Sequence, residues 1–74
     1  MLKKILETLS YNNIKKDKTF LSMMNKINGY QLEQIVLYDF DPEDTSLNED
    51  ELVWLDDNKD LLKKYIKQIR KDFD

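Results

Sequence analysis

Along almost the whole chain, hydrophobic positions recur with the spacing of amphipathic helices. Leu2, Ile5, Leu6 and Leu9 follow the i, i+3, i+4, i+7 rule. They predict a first helix over residues 2 to 10, interrupted by Asn12-Asn13. A second helix, from about Ile14 or Asp17 to Ile27, puts Phe20, Met23, Met24 and Ile27 on one face. Asn28-Gly29 then reads as a stop, with the lone glycine supplying a left-handed cap.

Residues 30 to 40 fit two templates. A helix groups Leu32, Ile35, Val36 and Phe40; a strand aligns Tyr30, Leu32, Val36, Tyr38 and Phe40, with Gln34 breaking the row. A strand needs a partner, and residues 51 to 56 are the one candidate. That alternative is an α+β fold with a two-stranded hairpin from 31–39 and 51–56. The second segment has a better use, however. Asn48 and Glu51 are spaced as a capping box, and Glu49, Asp50 and Glu51 load a first helical turn with negative charge. Both segments therefore read as helical.

From Glu49 to Phe73 a helical wheel at 100° per residue sorts the side chains. Trp54, Leu55, Leu61, Leu62, Tyr65, Ile66, Ile69 and Phe73 share an arc of about 140°. Lys59, Lys63, Lys64, Lys67, Arg70 and Lys71 lie opposite, and Val53 faces away from the apolar arc. One helix about 37 Å long accounts for the pattern, with Asp56-Asp57-Asn58 the place where it could break. The fold class expected is all-α: a small helical bundle of three short helices on a long amphipathic C-terminal helix, one domain over 1–74.

Composition narrows the chemistry. The chain has 74 residues, 36% of them charged, and lacks cysteine and histidine. Zinc fingers, thiol nucleophiles, disulfides and histidine general bases are therefore excluded. One glycine cannot build a Gly-rich phosphate loop or dinucleotide fingerprint. At 9.0 kDa the folded chain should expose about 4,900 Å², leaving room for one small core. The longest apolar runs are four residues, too short to span a bilayer, and the N-terminal segment has no signal-peptide core. Cytoplasmic placement, without membrane contact, is the expectation. Eleven lysines stand against one arginine, and alanine is absent, a bias towards A/T-rich codons that points to a low-GC bacterium, or its phage or mobile element.

Charge is ordered as well. Residues 1–38 sum to +3, residues 39–57 carry nine acids and no base, and residues 58–74 sum to +3, giving the net −3. Asp39, Asp41, Glu43, Asp44, Glu49 and Asp50, with Val53 and Trp54, form the leading candidate surface for a protein partner. The row Lys59, Lys63, Lys67, Arg70 and Lys71 is the alternative, an anion-binding face. That row lacks interleaved aromatics, and the acidic balance is unlike a typical nucleic-acid binder. Residues 14 to 40 have the outline of a helix-turn-helix, yet the would-be recognition helix 31–38 carries one acid and no base.

Calcium-loop spacings at Asp39-Asp41-Glu43 and Asp56-Asn58-Asp60 lack the required glycine and the final glutamate. No metal site, cofactor or catalytic set is expected. The function expected is non-enzymatic: a small regulatory or inhibitory protein that binds a host or cognate protein, acting as a monomer or homodimer. Nucleic-acid binding and an immunity- or antitoxin-like role are the alternatives.

Overall fold

A computed structural model describes residues 2–73, and within them the chain is all-α. Helix α1 spans Leu2–Lys16, α2 Lys18–Met24, α3 Gly29–Tyr38, α4 Glu49–Asp57 and α5 Lys59–Phe73, with a 3₁₀ turn at Pro42–Asp44. Residues 31–39 and 51–56, the would-be hairpin, are helical except at Asp39.

Asparagine and aspartate set most boundaries. Asp17 accepts hydrogen bonds from the Thr19 and Phe20 backbone N–H groups and caps α2. Asn28 with Gln31 and Asn48 with Glu51 form two complete capping boxes, opening α3 and α4. Two expectations fail at these boundaries. Asn12-Asn13 does not interrupt α1, because Tyr11 and Ile14 on either side are buried and hold that turn against the core. Gly29 is the first residue of α3 rather than a left-handed cap. It is needed because a Cβ there would lie 2.6 Å from Cα of Arg70, so glycine sets how closely α3 approaches α5.

The long C-terminal helix is two helices meeting at Asn58. Its backbone N–H and side-chain amide both donate to the Trp54 carbonyl, at 3.0 and 2.8 Å. Asp56 and Asp57 put negative charge at the C-terminal end of α4, where the helix dipole opposes it. The chain turns there and restarts.

The wheel nevertheless chose its faces well. Leu55, Leu62, Ile66 and Ile69 are buried; Trp54, Tyr65 and Phe73 pack against them; Val53 is 55% exposed; Leu52, which the wheel sets on the side of the lysines, packs against the core as well. Only Leu61, on the edge of the arc, is also exposed. Phe20, Met23 and Ile27 from α2 and its C-terminal turn, and Leu32, Ile35 and Val36 from α3, complete the core with Leu47. Phe20 sits at its centre, its ring 5.6 Å from both Trp54 and Phe73.

One predicted face is not in the core at all. Leu2, Ile5, Leu6 and Leu9 are 53–71% exposed, and α1 is anchored instead by Tyr11 and Ile14. The physical reason is rotational phase. With Leu2 at zero, Ile5, Leu9, Leu2 and Leu6 centre near 350°, whereas Tyr11 and Ile14 centre near 150°, so the two sets lie about 160° apart. When the second set docks, the first must face outwards. The folded chain measures 40 × 22 × 21 Å and exposes 5277 Å², above the expected area.

Candidate partner-binding groove

Among the described residues the one left-handed backbone is that of Asp39, at φ 55°, and it ends α3. Aspartate tolerates that conformation better than most residues. The turn is closed by the Phe40 N–H, which donates to the Gln34 carbonyl at 3.1 Å. Asp41 then accepts from the Glu43 N–H and caps the 3₁₀ turn, with Pro42 fixed at its first position. These local bonds bring the end of α3 alongside the joint between α4 and α5.

An open groove of about 340 Å³ lies between them. Buried Ile35 and Leu55, with Leu52 and the half-exposed Phe40, make its floor. Asp39, Asp41 and Asp56 stand around its edge with Lys59. Lys59 meets Asp39 at 3.3 Å, whereas Asp41 and Asp56 make no ion pair among the described residues. The groove is thus greasy beneath and acidic around the edge.

Of the sequence-chosen acidic surface, the fold brings Asp39 and Asp41 to this groove and leaves the rest outside it. Glu43 and Asp44 sit on the exposed 3₁₀ turn, and Glu49 and Asp50 on the first turn of α4. Val53 projects from α4 away from the groove, and Trp54 is chiefly a core residue against Phe20. Sequence reasoning missed the apolar floor and Asp56, because the two lining segments are separated by the loop and meet only in three dimensions. The one local signal was Asp39-Phe40-Asp41-Pro42, a turn sequence that alternates acid with an apolar ring.

Glu51, read as a capping residue, has a second role. It is 1% exposed, and its Oε1 accepts from the Asn48 N–H at 2.9 Å and from Lys26 Nζ at 2.6 Å. Burial by itself would raise its pKa. The Asn48 N–H, the Lys26 ammonium and the nearby Ser22 hydroxyl outweigh that and hold it below the ordinary glutamate value. Its Oε2 has no hydrogen bond of normal geometry. The pair ties the turn after α2 to the start of α4, so it is structural.

The basic row is only partly neutralised within the fold. Arg70 pairs with Glu33 at 2.7 Å and lies over the Tyr30 ring. Lys64 reaches Glu7 at 3.5 Å, and Lys59 reaches Asp39. Lys63, Lys67 and Lys71 are exposed and make no ion pair among the described residues. The acidic middle and the basic row therefore satisfy each other at one corner, Asp39–Lys59.

Among the described residues, no group of three or more carboxylates is placed to hold a metal, and no helix is long and apolar enough to cross a membrane. No family model matches the chain, nor does any curated protein or solved structure match it at a meaningful level.

Proposed function

We propose that the chain is a non-enzymatic binding protein whose groove takes a basic, amphipathic segment of another protein. The observation that carries this reading is the pairing of an apolar floor with two rim carboxylates, Asp41 and Asp56, that have no ion-pair partner among the described residues. Apolar burial supplies affinity, and opposite charge at the rim supplies orientation and rate of encounter. A small regulator or inhibitor, immunity- or antitoxin-like proteins included, works through such a surface. The codon bias supports an origin in a low-GC bacterium, its phage or a mobile element, and cytoplasmic placement accompanies that reading.

The test is an amide-shift titration with a synthetic helical peptide of alternating lysine and leucine faces. Shifts concentrated at Ile35, Phe40, Leu52, Leu55 and Asp56, and abolished in Asp41→Lys/Asp56→Lys, are the expected result. Shifts confined to Glu43–Asp50, or unchanged in the double variant, reject the groove. A second reading rests on exposed Lys63, Lys67 and Lys71, which fit a phosphate track. It requires a gel shift with DNA or RNA that weakens steeply with salt and is lost in Lys63→Ala/Lys67→Ala.

A further inference from the structure

One side chain in the groove has the wrong charge for a site that takes cations. Lys59 is the single base lining it, beside three acids, Asp39, Asp41 and Asp56. The end of α3 and the turn after it form one wall, with Asp39; the α4–α5 joint forms the other, with Lys59. The Lys59 ammonium meets the Asp39 carboxylate at 3.3 Å, so this ion pair runs from wall to wall.

We propose that Lys59 is a strap: it holds on Asp39 the place that a partner's cation takes, and it is displaced when a basic segment binds. The strap rests on the groove reading and adds the regulation of that site. Its two members are unequally placed. The Asp39 side chain is 86% exposed and stays open to an incoming ammonium, whereas that of Lys59 is 36% exposed. Lys59 thus runs along the groove wall, its stem against the protein and its charge at the rim, as long basic chains do on apolar surfaces. A ligand that fills the groove must move it.

A cation at this point does not stabilise α5. Lys59 is the first residue of the helix, and the positive end of the helix dipole disfavours a cation there. Every other base of α5 lies further along, from Lys63 onwards. Lifting Lys59 away from Asp39 therefore leaves the helix intact. Strength is matched to release as well, since an exposed ion pair shifts an equilibrium by at most about fivefold. The strap attenuates binding by about that factor and does not block it.

Calorimetric titration with the lysine–leucine helical peptide tests the strap, and amide shifts at Ile35, Phe40, Leu52 and Leu55 report whether each variant takes the peptide in the groove. Lys59→Gln should bind about fivefold more tightly than the wild type. Lys18→Gln makes the same charge change at the first residue of α2, outside the groove, and should bind within about twofold of the wild type. Asp39→Asn keeps a residue suited to the left-handed backbone. In the wild type it should change affinity by less than about twofold, because strap and rim charge are lost together; in Lys59→Gln it should weaken binding about fivefold. A peptide seated in the groove no more tightly in Lys59→Gln than in the wild type overturns the strap and leaves the groove standing. Equal gains from Lys59→Gln and Lys18→Gln, or the same loss at Asp39 in both backgrounds, make Lys59 a distant charge and overturn the strap as well. Absence of groove shifts in both the wild type and Lys59→Gln rejects the groove reading and the strap together.

Discussion

Helices α1 and α5 are the same length, and each carries a stripe of leucine and isoleucine at helical spacing. In α5 the stripe of Leu62, Ile66 and Ile69 is buried against α3 and the rest of the core. In α1 the stripe of Leu2, Ile5, Leu6 and Leu9 faces out. The difference is not in amphipathicity but in agreement along the helix. The buried positions of α5 keep one phase to its end. In α1 the first half and the second half point to opposite sides, and the half that includes an aromatic ring wins the core. The Tyr11 ring lies 5.5 Å from that of Tyr65, tilted against it, and its hydroxyl donates to Asp72, which fixes that choice. Periodicity identifies a face; a neighbouring anchor decides which way it turns.

Substitutions should separate the two stripes sharply. Leu62→Ala should cost about 2–5 kcal/mol, because Leu62 is fully buried and the cavity cannot close; urea unfolding measures it. Glu51→Ala should cost about 2 kcal/mol, removing a cap and a paired carboxylate, the partly exposed Lys26 being able to turn to water. Its pH dependence has a definite sign. Because the folded pKa of Glu51 is lowered, its contribution is present above the unfolded value of about 4.5 and is lost as pH falls through the folded value. The wild-type Tm should therefore drop more steeply than that of Glu51→Gln as acid is added from pH 5.

Smaller effects sharpen the picture of how α5 is covered. Gly29→Ala should cost about 1–2 kcal/mol by forcing α3 away from the Arg70 backbone, and should perturb the Ile69 and Arg70 amide signals first. Asp39→Gly should stabilise by about 0.5–1 kcal/mol in thermal unfolding, since it relieves a left-handed backbone and gives up only an exposed ion pair.

How much of this was legible in the sequence follows from what each feature depends on. The capping box at Asn48–Glu51 is a matter of three-residue spacing, and it formed as read. The buried faces of α2, α3 and the C-terminal segment were largely correct because each has one dominant apolar side, but Phe40, grouped with the α3 face, lies past the end of that helix and is half exposed, and Ile27 is buried just beyond the end of α2. The join at Asn58 was marked as a break candidate, yet the wheel ran straight through it, since α4 and α5 keep a common face on either side. The burial of Glu51 depends on Lys26, 25 residues away, and no local pattern records such a pair. The groove is hidden for the same reason: Asp39 and Asp41 were visible as acids, but their floor comes from other elements. The outward turn of α1 was legible in principle. Its wheel separates Leu2–Leu9 from Tyr11 and Ile14, a conflict that treating residues 2–10 as a complete helix conceals.

The contrast between the stripes is tested most directly by Leu6→Gln/Leu9→Gln, because glutamine keeps the helix propensity of leucine. Urea unfolding is compared with the wild type. A change within about 0.5 kcal/mol is expected for side chains that face water. A loss of about 4 kcal/mol or more would place these leucines in the core and contradict the outward orientation of α1.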